Sequence, residues 1–147
     1  MKLQNIILHK ILIPIDGSRP SYKALSYAID IARNKDITLA LLYVAEPQKE
    51  ISDFERVSLG GYIPDNIKTK GYELLFELLQ EIPSDIKTQI FVEIGSPAEI
   101  IVDKAQTEQF DMIIMGSRGL SKLKSIFMGS VSQYTLQYAH CPVLIIR

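Results

Sequence analysis

The chain has 147 residues, 47% of them hydrophobic and 22% charged, which suits one globular domain with a real core and leaves no room for a second. A formal charge of -1 argues against a mainly electrostatic nucleic-acid or membrane partner, although a local basic patch would not show in that total. Cys141 is the single cysteine, so a disulfide framework and a thiolate metal cluster are excluded, and a small buried apolar residue is expected there.

The first ten residues, MKLQNIILHK, contain an apolar run too brief to span a bilayer, and no small-residue cleavage site follows it. A cytoplasmic protein, a single domain over residues 1–147, is expected. Ile11 to Ile15 reads as the first strand, with a Pro14 that is tolerable near a strand end but not in a central ladder. Asp16-Gly17-Ser18 is a turn. Pro20 then suits the first turn of a helix whose Ala24, Leu25, Ala28, Ile29 and Ala32 share one face. Leu39 to Val44 is a continuous apolar run, as in a strand buried on both sides. From Glu46 to Asn66 the sequence predicts irregular structure, broken by Pro47, Gly60, Gly61 and Pro64.

Ile67, Leu74, Leu75, Leu78 and Leu79 mark a second helix that ends by Pro83. Gln89 to Ile94 is the third strand, and Gly95-Ser96-Pro97 opens a helix that turns Ile101, Val102 and Ala105 inward. Met112 to Met115 is the fourth strand. A helix from about Ser130 to Ala139 and a last strand, Val143 to Ile146, complete the chain. Strands alternating with helices of this length imply right-handed crossovers, hence an open five-stranded parallel sheet of the Rossmann-like α/β class with helices on both faces. Such sheets bind ligands beyond the carboxyl ends of their strands, where strand order reverses. In the order 3-2-1-4-5 that point lies between strands one and four.

Two loops reach that point: Pro14-Ile15-Asp16-Gly17-Ser18, and the stretch MGSRGLSKLKSIFMGSVS from Met115 to Ser132. In the second, Gly116 and Gly119 permit a sharp turn and a close backbone approach. Gly129-Ser130 starts a helix, whose unsatisfied N–H groups and dipole favour an anion. The hydroxyls of Ser130 and Ser132 can donate to phosphate, and Arg118, Lys122 and Lys124 bring positive charge. Spacing alone equally allows turn glycines, a Ser130 helix cap and a solvated lysine face. Neither the GxxxxGK[ST] loop nor the GxGxxG fingerprint is present.

Lys10 to Ser18, Met112 to Gly119 and His140 to Ile146 together resemble the universal stress protein family over nearly the whole chain. Gly116, Gly119, Gly129 and Ser130 match that family's G-x2-G-x9-G-[ST] pattern, associated with its ATP-binding branch. The resemblance implies that Pro14, Ile15 and Asp16 meet adenine and ribose, with the Asp16 carboxylate accepting from ribose hydroxyls. It places the backbone of Val44 on adenine, and Met115 and Gly116 along the nucleoside. Gly119, Gly129 and Arg118 fall near the phosphates, and Ser130, Val131 and Ser132 at the helix N-terminus that holds them. ATP is the implied cofactor, with magnesium or manganese bound through its phosphates.

The nine residues before Lys10 exceed the family's usual start, and the segment from Glu46 to Asn66 falls where the family varies, so it receives no role. Asp16 as a phosphoacceptor would need further acids for magnesium, which Asp16-Gly17-Ser18 does not supply; Asp16 as a plain helix cap is the other alternative. His9 and His140 lack a partner pattern for metal or catalysis. Three functions remain open: a nucleotide-dependent stress regulator with an unknown protein partner and at most slow hydrolysis, a nucleotide-independent dimeric module, and an ATP-consuming enzyme. The apolar last strand, Val143 to Arg147, predicts a homodimer by antiparallel edge pairing.

Overall fold

The computed structural model describes residues 1–120 and 128–147; Lys122 and Lys124 lie outside the described residues. Five parallel strands, β1 (Lys10–Pro14), β2 (Thr38–Ala45), β3 (Lys87–Ile94), β4 (Met112–Gly116) and β5 (Val143–Ile146), form one sheet in the order β3-β2-β1-β4-β5. The expected order is the observed one. Helices α1 (Arg19–Ala32), α2 (Pro47–Glu50), α3 (Asp53–Ser58), α4 (Thr69–Glu81), α5 (Pro97–Thr107) and α6 (Ser130–Tyr138) connect the strands.

Strand alternation divides the core. Ile11, Ile13, Leu39 and Leu41 join the layer that includes Ala24, Ala28 and Leu75 of α1 and α4. Leu12, Ala40, Leu42 and Met115 join Ile101 and Ala105 of α5, with Val131 of α6 packed against them. Ile11, Leu12 and Ile13 have no exposed surface, which is why β1 reads as an unbroken apolar run rather than an alternating one.

The segment from Glu46 to Asn66 departs from expectation. Instead of irregular chain it carries α2 and α3, and a 3-10 turn, Asp65–Lys68, precedes the expected second helix, which begins at Thr69 rather than near Ile67. Local capping explains the short α3: the Ser52 hydroxyl accepts from Glu55 N–H at 3.2 Å, and a Glu55 carboxylate oxygen accepts from Ser52 N–H at 3.0 Å, a reciprocal box that satisfies two donors without tertiary help.

Pro14 explains where the sheet opens. Ile15 N–H donates to Leu42 O at 2.8 Å, so the odd-numbered amides of β1 face β2 and the missing donor of Pro14 faces β4. The β1–β4 pairing stops at Leu12 and Ile113, while β4 continues with β5 as far as Gly116 and Ile146. At the opposite end Asp111 Oδ2 accepts from the amides of both His9 and Lys10 at 2.8 Å. The two strands are therefore tied at their amino ends and part at their carboxyl ends. A crevice at the switch point follows.

Candidate nucleotide site

The first wall of the crevice is the β1–α1 turn. Asp16 is half-buried, and its Oδ1 accepts from Ser18 N–H at 2.9 Å. Ser18, not Asp16, is the helix cap: the Ser18 hydroxyl accepts from Ser21 N–H at 3.3 Å, and the Ser21 hydroxyl donates to Ser18 O at 2.8 Å. The reading of Asp16 as a plain cap is thereby corrected, because the cap position is already filled two residues later. Asp16 Oδ2 has no hydrogen-bond partner among the described residues. Ile15 buries its side chain against α1 and α4 and spends its amide on Leu42, which leaves its carbonyl as its polar contribution.

The second wall leaves β4. Gly116 and Gly119 were expected to turn the chain, yet left-handed φ values fall on Gly17, Gly60, Gly61 and Gly95. Space, not backbone handedness, accounts for the two loop glycines. A Cβ on Gly116 would stand 2.6 Å from Pro20 Cβ and 2.9 Å from its backbone carbon, so this glycine lets α1 seat against the strand end. A Cβ on Gly119 would stand 2.5 Å from Asp16 Oδ2. The glycine loop and the unpartnered oxygen of Asp16 are thus in direct apposition.

The third wall is the start of α6. Gly129 is its cap residue, with φ -71° and ψ 161° and no capping side chain, so Ser130 is the first helical residue rather than the cap. Gly129 N–H donates to Ser117 O at 2.8 Å, and the Ser132 hydroxyl donates to the same carbonyl at 2.8 Å while lying 2.9 Å from Gly129 O. Ser132 is buried; its hydroxyl fastens α6 to the end of β4 and does not face the crevice as a spare donor. The backbone amides of Ser130, Val131 and Ser132 carry no bond among the described residues, as the first turn of a helix requires of an anion site. Arg118 is half-buried, its Cα 3.7 Å from the Cβ position of Gly129.

Pro14, Val44 and Met115 complete the lining. Val44 and Met115 lie on the α5/α6 side of the sheet, and alternation with Leu12 puts Pro14 there too. Gly116 faces α1 on the other side. The predicted residues thus lie at the carboxyl ends of β1, β2 and β4 and the start of α6, but Ile15 and Gly116 face the α1/α4 side, and the Ser132 hydroxyl is engaged by the fold itself. Ser117 is the residue that sequence reasoning missed. It is buried, it donates to Ile146 O at 2.7 Å and its carbonyl holds both Gly129 and Ser132. Its work is done by the backbone, which no side-chain pattern advertises.

Among the described residues no three histidine, cysteine or acidic side chains converge as a metal cage, and no helix is long and apolar enough to cross a membrane. Cys141 is half-buried, and burial raises its thiol above the ordinary range, which disfavours the nucleophilic thiolate.

A family model for the universal stress protein family matches residues 8–147. The chain is similar to Universal stress protein MJ0531 of Methanocaldococcus jannaschii, with 34% identity over 143 residues, covering 94% of this chain and 81% of that one. The solved structure of the hypothetical protein MJ0577 superposes with a TM-score of 0.81 at 28% identity, covering 96% of each chain. A family member from Arabidopsis thaliana, solved with AMP bound, superposes at 0.62 with 21% identity, covering 94% of this chain and 90% of that one. Matched from Leu8 to its last residue and folded on the same sheet, the chain belongs to the universal stress protein family.

Proposed function

We propose that the chain binds an adenine nucleotide, with ATP as its ligand, in the crevice between β1 and β4, and serves as a nucleotide-dependent regulator rather than a rapid catalyst. The observation that carries this reading is the meeting of Asp16 Oδ2 with Gly119 across from the uncapped amides of α6. One wall offers an acceptor for ribose hydroxyls, and the start of α6 offers donors for phosphates. In this reading the backbone of Val44 meets adenine, while Pro14, Ile15, Met115 and Gly116 border the nucleoside. Gly119, Gly129 and Arg118 border the phosphates, held by the amides of Ser130, Val131 and Ser132. A magnesium or manganese ion reaches the site through the phosphates, and hydrolysis is at most slow.

The same reading includes a homodimer. The two sheet edges differ: β3 exposes Lys87 and Gln89, whereas β5 presents Val143, Leu144 and Ile145, and an apolar edge invites a second copy. Sedimentation at micromolar concentration should give a dimer. A second reading, a dimeric module that needs no nucleotide, is favoured by Gly129 N–H and the Ser132 hydroxyl, both already satisfied by Ser117 O without any ligand. Mass spectrometry of small molecules released from protein purified from its native cells separates the two: ATP or another adenine nucleotide in near-stoichiometric amount supports the first, and protein that carries none and takes up none on addition supports the second.

A further inference from the structure

The chain between β2 and α4 is fixed at both ends and bare in the middle. Ile51 and Ile67 are core residues, 6% and 7% exposed. Just before Ile51, Glu50 Oε1 accepts from the Tyr43 hydroxyl at 2.7 Å, and Lys70 Nζ stands 3.8 Å from Glu50 Oε2. On the far side, Leu74 of α4 comes within 3.8 Å of the Cβ position of Gly17. Tyr43 precedes Val44 and Gly17 follows Asp16, so both attachments sit beside the crevice. Burial, the bond to Glu50 and the nearby carboxylates of Asp16 and Glu46 raise the Tyr43 phenol far above its ordinary value, which keeps it a proton donor to Glu50.

Between these attachments α3 is held together by its own capping box, and none of its described side chains is buried. Phe54 and Val57, one helical turn apart, are each 81% exposed, and Tyr62 and Ile63 are exposed as well. Gly60 and Gly61 follow, with φ of 57° and 85° and no atom within 4 Å of either Cβ position. A capped helix with a bare apolar face, joined to the body through two open left-handed glycines, is a rigid element on a hinge.

We propose that residues 52–66 are a lid that turns on Gly60 and Gly61 and lays Phe54 and Val57 over the purine base at the end of β2; this rests on the nucleotide reading of the crevice. The lid's attachments lie on the α1/α4 side of the sheet and the base on the other. Phe54 and Val57 follow the fixed Ile51 by three and six residues, and with α3 kept helical they can swing within roughly 10 Å of it, about the spacing of packed layers, so length permits the crossing. An aromatic and a β-branched side chain suit the flat apolar face of a purine, and closure removes both from water.

The test uses the full chain and a Phe54→Ala/Val57→Ala double variant, with ATP and magnesium. Both side chains are exposed in the open form, so the urea midpoint should not change. The lid predicts that ATP slows amide exchange across residues 52–66 of the wild type, and that the double variant binds ATP about tenfold more weakly by titration calorimetry. Equal affinity in the two proteins, or unchanged exchange in a wild type that binds ATP, overturns the lid and leaves the nucleotide site standing. No binding by the wild type overturns both.

Discussion

Gly116 and Gly129 bound the same loop, one at the end of β4 and one at the start of α6, and the fold asks different things of them. At Gly116 a single added carbon would collide with both the side chain and the backbone of Pro20, at 2.6 and 2.9 Å. At Gly129 an added carbon would meet Ser117 O, Arg118 Cα and Ser132 Oγ at 3.6 to 3.8 Å, which is ordinary contact, and its φ of -71° suits any residue. The first glycine is explained by the packing of α1. The second sits at the helix cap, where glycine is favoured over apolar residues, but no close contact among the described residues demands it; in the proposed reading a ligand pressed against the backbone adds a further reason. A glycine motif thus mixes positions that build the fold with positions that serve what the fold binds.

Substitutions can pull these roles apart. Gly116→Val should cost the most, at least ~3 kcal/mol, because backbone of α1 must move to admit it; urea unfolding should show a greatly lowered midpoint or no folded protein, and a near-normal midpoint would mean that α1 yields easily. Ser132→Ala should be next. It removes a buried hydroxyl from Ser117 O, which keeps the Gly129 amide as a partner, so a loss of about 1 kcal/mol is expected in the same measurement. Gly119→Ala should cost less than ~1 kcal/mol of stability, since the carboxylate it meets is the end of a side chain that can swing away. Its effect should appear instead in ATP affinity, which should fall by about tenfold as Asp16 is displaced. A stable Gly119→Ala protein with undiminished affinity would detach Asp16 from the ligand.

What the sequence made legible was the framework. The apolar runs of β1, β2 and β4 and the helical spacing of Ala24, Leu25 and Ala28 announce themselves because burial is written in side chains. The strand order expected for the Rossmann-like class is the observed one, and Pro14 ends β1 where its missing amide does least harm. Less legible was anything decided by the backbone. Ser117 acts through its carbonyl, Gly116 through the carbon it lacks, and Ser18 displaced Asp16 as cap through a difference of two residues. The short helices after β2 were hidden for a related reason: α3 forms from a local capping box and its described side chains are exposed, so it leaves no hydrophobic period to read.

The account stands or falls on the phosphate side of the crevice. Titration calorimetry of ATP with magnesium into the wild type and Gly129→Val compares a position the fold does not need as glycine with the ligand that would need it. Micromolar binding by the wild type, about 8 kcal/mol, and its loss in a Gly129→Val protein that stays folded, with a midpoint lowered by no more than a lost helix cap costs, are the predicted results. A wild type that gives no binding, or a folded variant that binds ATP as well as the wild type does, would contradict the account.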